Sequence, residues 1–532
     1  MQKYLFLGDE AIAQGAIDAG ISGIYAYPGT PSTEITEYIQ NSKEAAEKSI
    51  HSQWSSNEKT AMESALGMSY AGKRSMVCMK HVGLNVAADP FMNAAITGVN
   101  GGMLIVVADD PSMHSSQNEQ DSRFYGKFAM IPVLEPSNQQ EAYDLVHYGF
   151  DLSEKYKFPV MLRITTRLSH SRSGVIPREK KKQNELRLPV DLKQFILLPA
   201  LARVRYKGLL KAQDAFLLES ENTGNNKYYP GNDFKLGIIA FGLAYNYYRE
   251  NEIGYKLNYP LVKVNQYPIP IKLIQQIAHQ TDELLILEEG YPIAEESIRG
   301  FFNLPYKIRG RMDGSLPRDG ELNPNLVAKA LGIQEQEFPK VPEIVSPRPP
   351  AFCKGCSHAD VYLALNQAIE QYGKGRVFSD IGCYTLGALP PYNSINSCVD
   401  MGASITMAKG AADAGLLPAV AVIGDSTFTH SGMTGLLDAV IENTSVTVII
   451  SDNSTTGMTG GQTSSATGKI GQICKGIGVD PEHIITLIPL KKNHDENVQI
   501  IEKELAFNGV SVIIAQRECI QTAARRHKEK KS

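Results

Sequence analysis

The chain has 532 residues, with 53 Lys and Arg against 57 Asp and Glu, and a formal charge of −4 gives no reason to expect nucleic acid. That length exceeds a single hydrophobic core and predicts about three domains; 43% hydrophobic and 21% charged residues fit a globular protein. The longest apolar runs, 103–108 and 419–423, fall far short of the roughly 20 residues a membrane helix needs. Asp9 and Glu10 interrupt any signal-peptide core, so a cytoplasmic protein is expected.

Residues 8–19 predict a helix after a short strand, 23–27 a strand, and 57–71 a helix with small residues along one side. Short apolar β-branched runs at 103–108 and 160–165 predict buried strands. The polar run 178–187, with three successive lysines, predicts a solvated linker that closes a first domain, 1–190. A smaller α/β unit opens near Lys235, within a middle segment spanning 191–340. There 236–241 predicts a strand, Gly242 a turn and Ala244 the start of a helix, with further strands at 261–265 and 283–288. It ends in the connector 338–350, where five prolines in 13 residues forbid continuous helix or sheet. The last domain, 341–532, alternates strand and helix again and ends in a basic tail, 525–531, expected to be solvated.

Chemistry concentrates in that last domain. A strand over 419–423 runs directly into Gly424-Asp425-Ser426, and a second, 446–450, ends in Asp452-Asn453. The 25 residues between Ser426 and Asp452 leave room for one crossover helix, 432–442, and a parallel return. Asp425 and Asn453 therefore reach the carboxyl edge of a sheet, where open α/β sheets bind ligands. A carboxylate and a carboxamide suit Mg²⁺. Ser426 and the helix start behind it offer N–H groups to a diphosphate. The plainer alternative is a strand-end Asp and an Asx turn.

Seven cysteines are an odd count for a disulfide scaffold. Cys353-Lys354-Gly355-Cys356 spaces two thiolates for one metal centre. Cys78, Cys398 and Cys474 read as core residues.

The segment Gly424 to Asn453 resembles the thiamine-diphosphate signature, a Gly-Asp-Gly followed one crossover later by Asn-Asn. Ser426 stands for its last Gly and Asp452 for its first Asn. Met458 to Thr467 is similar to the segment that packs around the cofactor in pyruvate:ferredoxin oxidoreductases. Strings such as Tyr27-Pro28-Gly29-Thr30-Pro31-Ser32, Met79 to Asn85 and Asp109 to Arg123 resemble the large subunit of the indolepyruvate (arylpyruvate) ferredoxin oxidoreductase family. That likeness covers nearly the whole chain. It implies an α/β protein in which two thiamine-diphosphate-binding-type doubly wound parallel-sheet domains flank a smaller α/β domain.

The resemblance also assigns roles. Gly424, Asp425, Ser426, Asn453, Met458 and Thr459 would bind the cofactor, and Asp425, Asn453 and Thr455 its Mg²⁺. Met458 stands where the family has an asparagine near the reactive carbon. Glu58, followed by Gly67, Ala71 and Gly72 at family spacing, would activate the aminopyrimidine, with Glu63 as the rival. Thr30 would lie near the thiazolium; His81, His114 and Arg123 would handle protons or the substrate carboxylate. Cys353, Cys356, Cys383 and Cys519 match the family's 4Fe–4S ligands, which zinc would also accept.

The implied reaction is oxidative decarboxylation of a 2-oxoacid, an arylpyruvate such as indolepyruvate, with ferredoxin or another electron acceptor. Family analogy adds CoA as acyl acceptor, a smaller second subunit and an oligomeric state. No two-cluster ferredoxin module with Cys-x2-Cys-x2-Cys-x3-Cys repeats follows, so electrons are expected to leave through a partner chain. The alternatives are a non-oxidative decarboxylase and a non-catalytic assembly subunit. The second is disfavoured by the joint presence of Glu58, Asp425 and Asn453.

Overall fold

Apolar β-branched runs of six or seven residues become fully buried parallel strands in both halves of the chain. The structure is a computed structural model that describes residues 3–191, 193–301, 307–317, 319–337, 341–346, 351–398 and 400–529. It divides into two compact units, 1–339 and 340–532.

The first unit is built on a seven-stranded sheet. Its order is Gln266–Tyr267, Val133–Leu134, Val160–Thr165, Met103–Asp109, Ser75–Lys80, Gly23–Ala26 and His51–Trp54. All neighbours run parallel except Gln266–Tyr267. Alternate side chains of each strand feed opposite faces. Met76, Cys78, Leu104 and Val106 pack with the helices Gly8–Asp18 and Gln139–Tyr156. Val77, Met79, Ile105 and Val107 pack with Glu58–Tyr70 and Ala88–Thr97. The helix predicted over 57–71 is Glu58–Tyr70, and Asn57 is its N-cap, accepting the Thr60 N–H at 2.8 Å.

The same unit holds a five-stranded sheet, ordered Lys307–Arg309, Glu283–Leu287, Leu236–Phe241, Leu261–Val264 and Lys227–Tyr229. Only Lys227–Tyr229 is antiparallel. Gly242 turns the chain after Leu236–Phe241 at φ +47, where an added Cβ would meet the Glu135 side chain at 2.5 Å.

The run 178–187 has no regular structure and is mostly exposed, as expected, and it is also tied to the first sheet's elements. The Lys181 N–H donates to Asp18 O at 2.7 Å, Gln183 accepts from Ser22, and Asn184 reaches Glu154. The 24-residue helix Pro199–Asn222 was not predicted. It buries only Leu209, Phe216 and Ser220, too few for a clear apolar stripe.

The second unit carries a six-stranded, wholly parallel sheet. Its order is Ser397–Cys398, Val377–Ser379, Ala419–Gly424, Val446–Asp452, Val510–Gln516 and Ile484–Leu487. Val420, Val422, Ile449 and Ile513 face one core, and Ala421, Ile423, Val448 and Ile450 the other. The predicted crossover is Met433–Ile441, entered through one wider helical turn, Phe428–Gly432. Residues 341–346 of the proline-rich connector have no regular structure, and its 338–340 and 347–350 lie outside the described residues. The basic tail begins within a helix, Ile520–Glu529, and its Arg525 and Arg526 are exposed as expected; its 530–531 lie outside the described residues. No described helix is long and apolar enough to cross a membrane.

Candidate functional site

In the first unit the predicted residues follow the carboxyl ends of neighbouring parallel strands. Thr30 follows Gly23–Ala26, Glu58 follows His51–Trp54, and His81 follows Ser75–Lys80. Such an edge is where an open α/β sheet binds ligands. Glu58 is 5% exposed and lies against the backbone of Gly83, where an added Cβ would stand 2.6 Å from its Oε1. Gly83 therefore makes room for the carboxylate, a requirement the sequence motif alone does not reveal. Glu63 points outward and pairs with Lys59 on the helix surface. Burial holds the Lys80 amine below its usual range, against the pull of Asp110 and Glu58. Lys80 Nζ donates to Ser115 O at 2.9 Å, and the Ser115 hydroxyl approaches Thr30 O at 3.4 Å. His81 is buried, with Nε2 3.2 Å from Asn118 O and no hydrogen-bond partner at Nδ1. His114 is half exposed beside Glu321, at 3.5 Å.

Arg123 is corrected by its surroundings. Its side chain is 1% exposed and its nitrogens are committed within the unit. Nε donates to Asp121 Oδ1 at 2.9 Å, Nη1 pairs with Glu288 at 2.9 Å, and Nη2 donates to Glu289 O and Tyr291 O at 2.9 Å. No face is left for a substrate carboxylate; the guanidinium ties the two sheets of the unit together. Its removal would strand buried carboxylates, so Arg123→Ala should lower unfolding stability by about 3–5 kcal/mol. An unchanged urea midpoint in that variant would contradict this structural role.

In the second unit, Gly424 pairs in register with Ser451, which brings Asp425 level with Asp452 across adjacent parallel strands. Asp425 is 2% exposed, and its Oδ2 has no hydrogen-bond partner. Burial, reinforced by the Asp452 carboxylate, pushes Asp425 up to about 7. A divalent cation would satisfy that orphaned oxygen and remove the cause of the shift. Asn453 Oδ1 accepts the Thr455 N–H at 3.1 Å and keeps a second lone pair for a metal. The carboxylate of Asp425 and the carboxamide of Asn453 thus fit a divalent cation such as Mg²⁺. The Thr456 hydroxyl donates to Ser426 Oγ at 2.9 Å, and the Thr459 hydroxyl donates to Gln462 Oε1 at 2.6 Å, shaping the loop behind them. Met458 is 54% exposed.

The four predicted cysteines converge. Cys383 follows the strand Val377–Ser379, and Cys519 follows Val510–Gln516. Both positions lie at the carboxyl edge that carries Asp425 and Asn453, and the Cys519 N–H donates to Asn453 O at 3.1 Å. Cys353 and Cys356 form a turn closed by a 3.0 Å bond from Cys356 N to Cys353 O, at the start of the helix Ser357–Ile369. All four line one cavity of about 280 Å³ with His358, Asn453 and Gly461. Burial, then the neighbouring thiols of Cys356, Cys519 and Cys353, push Cys383 up to about 12.

His358 was missed by the sequence reading. It is fully buried, burial pushes it down to about 4, and its Nε2 stands 3.4 Å from Asn453 Nδ2. The signal was present in Cys356-Ser357-His358, which puts the ring two residues beyond Cys356.

The profile "Pyruvate flavodoxin/ferredoxin oxidoreductase, thiamine diP-bdg" matches residues 14–195. "Thiamine pyrophosphate enzyme, C-terminal TPP binding domain" matches residues 380–514. The chain is 38% identical to indolepyruvate oxidoreductase subunit IorA of Archaeoglobus fulgidus, over 99% of this chain and 89% of that one. It is 38% identical to the IorA subunit of Pyrococcus abyssi, over 97% and 86%. A 2-oxoglutarate synthase subunit KorA of Methanothermobacter thermautotrophicus is 28% identical over 35% of this chain and 51% of its own. Among solved structures, a 2-oxoglutarate:ferredoxin oxidoreductase from Magnetococcus marinus, with 2-oxoglutarate, coenzyme A and succinyl-CoA bound, shares the fold. Its TM-score is 0.52 at 17% identity, over 62% of this chain and 65% of that one.

Proposed function

The chain belongs to the IorA family of thiamine-diphosphate-dependent 2-oxoacid oxidoreductases, and from that premise we propose that it oxidatively decarboxylates an arylpyruvate such as indolepyruvate. Bound thiamine diphosphate would supply the carbanion that attacks the keto carbon and the electron sink that follows loss of CO₂. Glu58 holds the proton at N1′ of the aminopyrimidine, Thr30 lies near the thiazolium, and His81 handles protons or the substrate carboxylate. Asp425, Asn453 and Thr455 hold Mg²⁺, while Gly424, Ser426, Met458 and Thr459 border the diphosphate. Cys353, Cys356, Cys383 and Cys519 would hold one 4Fe–4S cluster, which would supply the electron outlet toward a partner chain and ferredoxin or another acceptor. A smaller second subunit completes an oligomeric, cytoplasmic enzyme, and CoA is the acyl acceptor where one is used. The segments 1–190, 191–340 and 341–532 are its pyrimidine-binding, middle and diphosphate-binding domains.

The observation that carries this reading is the shared carboxyl edge of the second sheet. One cavity gathers four thiols from distant parts of the sequence, and Asn453 lines the same space. A redox centre beside the cofactor's metal is what an oxidative enzyme requires and a simple decarboxylase does not.

Iron analysis tests it. Anaerobically purified protein is expected to be brown, with about four irons per chain. Cys383→Ala should lose the colour, and Cys78→Ala should keep it, because Cys78 is buried in the core of the other unit. Colourless protein carrying one zinc would make the cysteines structural. Colourless protein without metal would favour non-oxidative decarboxylation.

A further inference from the structure

We infer that Asp9, Glu34 and His170 form a further metal site, one that binds a divalent transition-metal ion of the zinc class independently of thiamine diphosphate. Asp9 and Glu34 stand at the starts of the helices Gly8–Asp18 and Thr33–Asn41, and His170 ends the short helix Thr166–His170. One ligand atom from each, two carboxylate oxygens and an imidazole nitrogen, lies within 4.8 Å of the others. His170 Nε2 and Glu34 Oε1 are 3.7 Å apart.

The independent sign of a ligand is Asp9 itself. It is 0% exposed, and neither carboxylate oxygen makes a well-formed hydrogen bond, the Ser169 hydroxyl being the one side-chain donor close to it. Glu34 Oε2 is likewise buried and unpartnered. A buried carboxylate with no more than one weak donor is costly unless it is neutralised by a proton or a cation. Burial, reinforced by Glu34, does hold the Asp9 carboxyl well above its usual range. The only cationic group in the cluster is the His170 imidazole, which Glu34 raises through their contact.

Two carboxylates and one imidazole are ligands that zinc accepts, with a remaining position for water. Tetrahedral ligands about 2.0–2.1 Å from zinc stand about 3.3 Å apart, so the 3.7 Å pair must close only slightly. The Glu34 and His170 side chains are 37% and 38% exposed, which gives the ion an entry path that Asp9 alone would lack.

The test is a zinc titration of the full chain by calorimetry, with bound zinc counted by elemental analysis. Wild-type protein should bind one equivalent more than Asp9→Asn, Glu34→Gln or His170→Ala, each of which weakens that equivalent at least about 100-fold. Cys356→Ser and Asp425→Ala should retain it, which separates this site from the cysteine and thiamine sites. His170→Ala alters a partly exposed ring, so its effect does not depend on how Asp9 substitutions fold. Equal zinc counts in wild type and in all three site variants would overturn the inference.

Discussion

Glu58→Gln is expected to leave thiamine-diphosphate affinity nearly unchanged while turnover falls roughly 100- to 10,000-fold, the usual weight of a positioned proton-transfer group. Glutamine keeps the shape of a side chain that packs, 5% exposed, over Gly83. What it cannot do is share a proton with N1′ of the aminopyrimidine. Loss of kcat without loss of cofactor binding is therefore the expected signature. Hydrogen–deuterium exchange at C2 of the bound cofactor reads the step directly, and a near-wild-type rate in Glu58→Gln would remove Glu58 from the mechanism. Glu63→Gln should do nothing comparable, because its carboxylate already faces solvent beside Lys59.

Asp425→Ala and Asn453→Ala should each weaken Mg²⁺-dependent thiamine-diphosphate binding by at least about 100-fold. Magnesium takes few protein ligands and relies on near-ideal geometry, so no neighbour can substitute for a lost oxygen. Asp452 does not serve as a reserve ligand. Its Oδ1 accepts the Ser454 N–H at 3.1 Å, and its Oδ2 accepts from Gln516 at 3.0 Å. Calorimetry with Mg²⁺ and cofactor together measures the effect, and wild-type affinity in both variants would refute the metal assignment. In Asp425→Ala the protein itself should fold at least as stably as wild type when no metal is present. The substitution removes a buried carboxyl that burial and Asp452 already push up to about 7.

Much of this was legible because the signal was local. The strands at 419–424 and 446–452 are continuous apolar runs that end where polar chemistry begins, and two parallel neighbours must deliver those ends to one edge. The convergence of Cys519 with Cys353, Cys356 and Cys383 followed from a family likeness. Its physical reason became visible only with the strand order, in which Val510–Gln516 lies directly beside Val446–Asp452. Arg123 was misread because sequence shows an arginine's chemistry but not its partners. Asp121 is two residues away, whereas Glu288, Glu289 and Tyr291 come from the other sheet of the unit. The run 178–187 was read correctly as exposed, but its ties through backbone and amides to Asp18, Ser22 and Glu154 left no sequence signal. Asp9, Glu34 and His170 gave no signal at all, being spread over more than 160 positions and united only by folding.

Oxidation and simple decarboxylation separate most directly in a single turnover. Anaerobic protein loaded with thiamine diphosphate and Mg²⁺ is mixed with one equivalent of indolepyruvate, and CO₂ and visible absorption are followed together. Release of CO₂ accompanied by bleaching of the brown cluster absorption is the expected result. Release of CO₂ with free aldehyde, and an absorption that never changes, would contradict an oxidoreductase.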